Sequence, residues 1–332
     1  MPLPLFFIGA AVVSGAVGVG TTTKAVVDTT KASQINKGSN EDIEKAKERL
    51  ENQRSAVRTA LEQMGREKLY VLDNSVADFL ATFERIKNVD FESSLGLEEL
   101  QKLHIDKESF KELKELGNFA LEFAGGATAG AVGGALTALG AYGAATTFAT
   151  ASTGTAIATL SGAAAQNATL AFFGGGSLAT GGLGMAGGTM VLGGLVAGPA
   201  LMVMGLITSF KAGENLEKAL ANKAQAQKIV TSLDAASVQC SSIRRRTYML
   251  YNLLAHLDSL FLPQIWKMED IVENEGEDYR EYKEESKKLI AAAASTACTI
   301  KAVLDTPILT EKGELTEASK KITQDIGYII YK

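Results

Sequence analysis

Cysteine and histidine are scarce in this sequence, with two residues of each among 332. Two cysteines cannot build a disulfide framework, and Cys240 and Cys298 both lie in helical patterns with small neighbours. We therefore predict two buried thiols, and a single bridge between packed helices is the alternative. His104 and His256 stand in separate segments without a partner at ligand spacing, so we expect both to be structural.

Signatures of phosphate, dinucleotide or calcium binding are also missing. No Gly-Lys-Ser/Thr follows any glycine cluster, as a phosphate-binding loop requires, and no strand is predicted before Gly174–Gly188, as a dinucleotide fingerprint requires. The acidic run from Glu269 to Glu285 lacks calcium-loop spacing and includes Arg280 and Lys283, so it predicts a solvated face. We predict that the chain is not an enzyme and uses no metal or cofactor.

Positive charge is not concentrated on any predicted surface. The net charge is −5, with a pI of about 5.4. The single basic cluster is Arg244-Arg245-Arg246, and three adjacent arginines on a helix point in three directions. A nucleic-acid binder usually carries a basic face or stripe, so we do not expect nucleic acid as a partner.

Charge is absent altogether from one long internal segment. Residues 123–210 contain no Asp, Glu, Lys, Arg or His and hold 21 of the 33 glycines. We call residues 123–210 the uncharged segment. The composition divides the chain into an apolar N-terminal segment (1–35), an amphipathic helical region (36–122), the uncharged segment and a second amphipathic region (211–332).

The N-terminal segment is apolar but lacks the positive region of a secretory signal. Its first lysine, Lys24, follows the apolar run instead of preceding it. We predict a structural or membrane-contacting segment that is not a cleaved address. Its uncharged length is marginal for a helix that crosses a bilayer.

The first charged region predicts one long helix from a cap at Ser39 or Asn40 to about Asn88, after a turn at residues 36–40. Apolar residues recur first every seven positions and then at spacings of three and four, which is typical of a coiled coil or an antiparallel bundle. The residues that show this are Ile43, Leu50, Val57, Met64, Leu69, Leu72, Val76, Phe79, Phe83 and Ile86. The phase slips after Met64 and predicts a stutter or bend near Gly65.

The second charged region predicts three helices. One ends at Leu262 before Pro263, the next runs from Gln264 to Asp305, and the last runs from a cap at Thr316 to about Ile330. The predicted fold class is all-α, an elongated bundle of long antiparallel helices with a Gly/Ala-rich apolar membrane-type segment.

Glycines at four-residue spacing in the uncharged segment predict close helix packing, because small residues let backbones approach in a membrane. The predicted packing residues are Gly126, Gly130, Gly134, Gly184, Gly188, Gly194 and Gly198. Glycine clusters and a proline predict hinges or a kink between the helical pieces. These residues are Gly174, Gly175, Gly176, Gly181, Gly182 and Pro199. Residues 153–187 are compatible with either a helix or a β-hairpin.

The uncharged segment has three interpretations. Gly, Ala and Thr favour insertion far less than Leu or Ile, so the segment can stay covered by other helices and enter a bilayer on release. It can instead form a permanent two-helix anchor. The third interpretation is a glycine-rich core that stays buried in a soluble helical protein.

Long amphipathic helices on both sides of one apolar Gly/Ala-rich segment, over residues 40–305, resemble the α-helical pore-forming toxins of the cytolysin A and haemolysin BL type. That resemblance implies a helical bundle whose apolar tongue rearranges in the membrane. Stretches at 152–157, 160–165, 167–171 and 174–179 also resemble a segment of uncharacterised bacterial proteins, which implies a bacterial origin.

The leading hypothesis is a membrane-active protein that inserts the uncharged segment into a lipid membrane and forms a homo-oligomer, as a pore or permeabilising assembly. The alternatives are a membrane-anchored scaffold, with a protein partner on its charged helices, and a soluble helical interaction protein. We expect membrane association together with a soluble form, either cytoplasmic or secreted without a cleaved signal.

Overall fold

The computed structural model describes residues 22–91, 110–117, 136–137, 139–143, 216–310 and 313–330. Almost all of them are helical, and this part of the chain contains no β-strand, which confirms the all-α class. The main elements are α1 (Thr22–Val71), a π-helical turn (Leu72–Val76), α2 (Ala77–Phe83), α3 (Leu216–Glu275), α4 (Glu284–Asp305) and α5 (Glu317–Ile330). Residues 110–117 and the described part of 136–141 are also helical.

Among the described helices, the most extensive contact is a seam between α1 and α3. Buried residues of α3 include a series with alternating spacings of three and four from Ala219 to Phe261, and those of α1 follow the same spacings from Ala32 to Leu50 and again from Val57 to Met64. This is the heptad pattern of a coiled coil. Because α3 has 60 residues, it extends about 90 Å at 1.5 Å per residue.

The two long helices run parallel. Cross-helix hydrogen bonds join Asn36 to Asn222, Arg49 to Asp234, Gln53 to Ser241, Tyr248 to Gln63 and Ser75 to Asp258. The residue numbers rise together on both helices, so the prediction of antiparallel long helices is wrong for this pair. A heptad pattern shows which face is buried and carries no direction by itself.

Helix α4 runs back along this pair. Gly276, whose positive φ of 88° suits glycine, ends α3, and the Glu275 carboxylate accepts hydrogen bonds from the Lys283 N–H and the Ser286 hydroxyl at the start of α4. At the far end of α4, the Leu304 carbonyl accepts a hydrogen bond from Lys68. The described part of the fold therefore combines a parallel pair with an antiparallel third helix.

Three predictions of helix limits are wrong. The helix predicted from Gln264 to Asp305 is interrupted between Glu275, where α3 ends, and Glu284, where α4 begins. Helix α1 begins at Thr22 and continues through the predicted turn at 36–40, where Asn36 and Ser39 occupy buried seam positions. The predicted boundary between the N-terminal segment (1–35) and the first amphipathic region (36–122) therefore falls inside α1. Helix α3 continues through Pro263, which lies on the exposed face. Water can reach the backbone there, so the hydrogen bond lost at proline carries less cost.

The predicted irregularity in the first long helix is present, but farther along. No break occurs at Gly65; the irregular turn is the π-helical turn at Leu72–Val76. Such a turn inserts one residue into a helix and shifts its buried face. Between Gly65 and this turn, Lys68 continues the buried spacing from Met64 to Val71 and places a lysine in the core.

Aromatic side chains close one end of the bundle. The ring centroids of Phe79 lie 5.2 Å from those of both Phe83 and Phe261, and Phe110 stacks on Phe83 at 5.1 Å. Phe110 brings the 110–117 helix into this end, where Leu113 and Leu116 are buried. The adjoining loops interlock, since the Lys87 N–H donates to the Glu277 carbonyl and the Tyr279 N–H donates to the Lys87 carbonyl.

Several sequence expectations are confirmed. Helix α4 ends at Asp305, and the Thr316 hydroxyl oxygen caps α5 by accepting a hydrogen bond from the Ser319 N–H at 3.1 Å. Cys240 and Cys298 are both buried and not joined to each other.

Candidate functional site

The candidate site is the place where the uncharged segment meets the charged bundle. We call residues 136–137 and 139–143 segment 136–143; they are the part of the uncharged segment that the structure describes. Leu136, Thr137, Leu139 and Ala141 are all at most 4% exposed. This stretch is therefore covered by the surrounding helices.

Two glycines allow the backbones of α1 and segment 136–143 to touch. A Cβ placed on Gly65 would lie 1.9 Å from the Leu136 carbonyl oxygen, and one placed on Gly140 would lie 1.9 Å from the Leu61 carbonyl oxygen. No side chain larger than hydrogen fits either position without backbone movement. We call this contact the Gly65–Gly140 crossing.

The loop after α4 holds the end of segment 136–143. The Ala141 carbonyl accepts hydrogen bonds from the backbone N–H groups of Ile308 and Leu309 at 2.8 and 3.0 Å. A Cβ on Gly143 would lie 2.0 Å from the Asp305 carbonyl oxygen. Backbone groups therefore make much of this contact.

Lys68 lies at the centre of the site. Its side chain is fully buried, and Nζ donates hydrogen bonds to the Tyr142 carbonyl at 2.8 Å and the Leu304 carbonyl at 3.0 Å. Leu304 lies in the last turn of α4, and Tyr142 directly follows the helical residues 139–141. Carbonyls at helix C-termini lack intrahelical partners and carry partial negative charge, so a lysine suits both.

The electrostatic environment of Lys68 is unfavourable for its charge. Burial lowers the pKa of the Lys68 ammonium to about 7, and the nearby Asp305 carboxylate only partly opposes this effect. Asp305 pairs with Lys301 at 2.8 Å, and Lys301 also pairs with Glu112. Lys68 thus has two carbonyl partners, while the neighbouring carboxylates are engaged by Lys301.

A second group of polar side chains lies on the α1–α3 side. The buried Asp258 carboxylate accepts a hydrogen bond from the Ser75 hydroxyl, and burial raises the pKa of Asp258. Burial and the charge of Asp258 also raise the pKa of Glu67, against the effect of its hydrogen bond with Tyr251. Two carboxyl groups in this core therefore resist ionisation.

The predicted packing and hinge residues lie outside the described residues. These are Gly126, Gly130, Gly134, Gly174, Gly175, Gly176, Gly181, Gly182, Gly184, Gly188, Gly194, Gly198 and Pro199. His104 also lies outside them, whereas His256 is half-buried on α3.

Sequence reasoning missed Lys68 and Gly140 and assigned Gly65 only to a bend. One signal was present for Lys68, which lies four residues after Met64 and three before Val71. Those spacings continue the buried heptad pattern. Gly140 does not continue the register of Gly126, Gly130 and Gly134, so spacing alone did not single it out.

Among the helices that the structure describes, none has the length and apolar character needed to cross a bilayer. The His, Cys, Asp and Glu side chains of the described residues form no group of three or more that could hold a metal ion.

Comparisons with protein-family models, curated proteins and solved structures find no match for this chain.

Proposed function

We propose that the chain is a membrane-active helical protein whose charged bundle keeps the uncharged segment covered in water. On release, the uncharged segment enters a lipid bilayer and assembles through its glycine faces, as a pore or permeabilising oligomer. The observation that supports this proposal is the burial of segment 136–143 against α1 and the loop after α4. In this proposal the full chain is an elongated helical bundle, similar in layout to the α-helical pore-forming toxins that the sequence resembles.

The nature of the contact supports conditional release. Glycine and alanine bury little apolar surface, and the free energy of burial grows by about 25 cal/mol per Å² of apolar area. Segment 136–143 contributes two leucines, while the seam contributes a long series of buried side chains from both α1 and α3. The segment is therefore expected to detach at a lower free-energy cost than the seam opens.

The first experiment uses the full chain purified without detergent and added to dye-loaded liposomes. Dye leakage, together with a shift to a large oligomer, is the expected result. A requirement for detergent from the start would instead favour the permanent anchor. A stable monomer that neither permeabilises liposomes nor oligomerises on them would contradict both membrane functions. That result would favour the soluble interaction protein, with which the Gly65–Gly140 crossing is also compatible.

A matched pair of variants links leakage to the contact. Gly140→Ala places a methyl group against the Leu61 carbonyl and should detach segment 136–143, so leakage should begin faster. Gly38→Ala is the control, since a Cβ at Gly38 meets nothing within 4 Å. Equal leakage rates for the two variants would show that this contact does not restrain the uncharged segment.

The glycine-face part of the proposal has its own test. Gly130→Leu should abolish the large oligomer on liposomes, because leucine prevents close backbone approach. The circular dichroism spectrum and thermal midpoint in water should stay close to those of the original chain. Unchanged assembly would remove that glycine face from the proposed contact.

A further inference from the structure

We infer that Lys68 sets how firmly the bundle holds segment 136–143, and that the hold strengthens as the pH rises above neutrality. This inference rests on the proposed function, since it assigns a regulating group to the same contact. Lys68 links the two sides directly, with one hydrogen bond to Tyr142 in the segment and one to Leu304 in α4.

The geometry gives Lys68 opposing effects. Its two hydrogen bonds satisfy carbonyls that the helix ends leave open. Its ammonium is nevertheless fully buried, and within the described part of the chain it forms no ion pair within 4.0 Å. Taking a charge out of water is costly unless a good counter-charge replaces the hydration. Detachment of the segment would return water to this ammonium.

The charged and titratable groups around Lys68 have other partners. On α4, Asp305 pairs with Lys301, which also pairs with Glu112 of the 110–117 helix. On α3, Asp258 bonds Ser75, and Tyr251 bonds Glu67, the neighbour of Lys68 on α1. Residues 306–310 carry no ionisable side chain, and segment 136–143 carries only Tyr142, whose backbone carbonyl makes the contact.

The direction of the pH effect follows from linkage. The docked lysine has a pKa of about 7, whereas the usual value is 10.5. The detached state therefore binds more protons between these values, and docking strengthens as the pH rises through that window. The expected change is about tenfold per pH unit from pH 7 towards pH 10, with little change below pH 7.

The test measures hydrogen exchange of the amides around Gly140–Gly143 in the full chain without lipid, with rates corrected for intrinsic exchange. The original chain should show protection that rises about tenfold per pH unit from pH 7.5 to 9.5. Lys68→Met removes the charge at similar length and should abolish that rise. Lys114→Met, at a half-exposed lysine paired with Glu84, should preserve it, and α3 seam amides near Ile229 should show no such trend.

A second measurement covers the case in which segment 136–143 does not dock at any pH in the Lys68→Met variant. Titration of the Lys68 side chain by NMR in the unmodified protein should give a midpoint near neutrality. A midpoint near 10.5, or a pH slope that persists in docked Lys68→Met, would overturn the inference. Because no lipid is present, these results are independent of whether the chain permeabilises membranes.

Discussion

The Asn222 side-chain amide donates a hydrogen bond to the Asn36 side-chain oxygen at 3.1 Å, across the seam between α1 and α3. Both residues are at least nine-tenths buried, and each occupies a position of its heptad pattern. A polar pair at such positions specifies register and orientation in parallel coiled coils, at a cost in stability. Asn36 and Asn222 are therefore expected to fix how the two helices align.

Replacing one member of this pair should destabilise the protein. Asn36→Leu leaves the buried Asn222 amide without its partner, which should lower the free energy of unfolding by about 1–3 kcal/mol. The double variant Asn36→Leu/Asn222→Leu should recover that loss or exceed the original stability. Urea denaturation of the original chain, the single variants Asn36→Leu and Asn222→Leu, and the double variant gives the coupling energy. A double variant no more stable than Asn36→Leu would contradict this role.

Asp258 should make stability depend on pH. Its pKa is raised in the folded state, so the folded protein binds more protons and loses stability as the pH rises from the unfolded value of 3.8 through the folded value. Asp258→Asn keeps an acceptor for Ser75 and should be more stable than the original chain at pH 7. The two should converge at pH 3, as measured by urea denaturation.

The Ser75 hydroxyl provides the companion change. Ser75→Ala removes the hydrogen bond to the buried carboxylate and should cost about 1.5–3 kcal/mol at pH 7. Combined with Asp258→Asn, the cost should fall, because the acceptor is then uncharged. A cost that is the same in both backgrounds would show that the charge of Asp258 does not matter to this contact.

Asn88 should tolerate glycine better than alanine. It has a φ of 58°, a left-handed value that costs most residues about 1–2 kcal/mol, and its side-chain amide donates to Asp278 at 3.0 Å. Asn88→Ala adds the backbone strain to the lost contact, whereas Asn88→Gly loses only the contact. The alanine variant should therefore melt at the lower temperature, and the reverse order would contradict the strain argument.

The helical class and much of the seam could be predicted from the sequence, because burial repeats locally. Ile43, Leu50, Val57 and Met64 all occupy the seam. The direction of the partner helix could not be predicted in this way, because it depends on pairs such as Arg49 and Asp234 that lie 185 positions apart. The sequence predicted a turn at Asn36 because asparagine locally favours turns over helix interiors. Its contact with Asn222 across the seam outweighs that preference.

The candidate site was harder to predict, since its contacts join distant stretches of chain. Gly65 and Gly140 contact each other's helices only after both have folded, and their separation in sequence carries no period. The fully buried Lys68 goes against the usual exposure of lysine. The heptad spacing was the only local indication that Lys68 is buried, and a lysine at that position favoured the opposite prediction, an exposed side chain.

The parallel direction of α1 and α3 also sets the distance between two contacts along the helix pair. The seam places Leu216, the first residue of α3, beside α1 near Thr30, at the end of the helix pair away from α2. The distance from Leu216 to the Lys68–Tyr142 hydrogen bond is roughly 55 Å along the helix axis. The hydrocarbon core of a bilayer is about 30 Å thick. A hairpin of two packed helices emerges with its ends only about 10 Å apart. Gly143 and Leu216, the described residues on either side of 144–215, therefore lie far apart along the bundle, and a hairpin formed from 144–215 would have to span that distance with its linkers or release one of the two contacts.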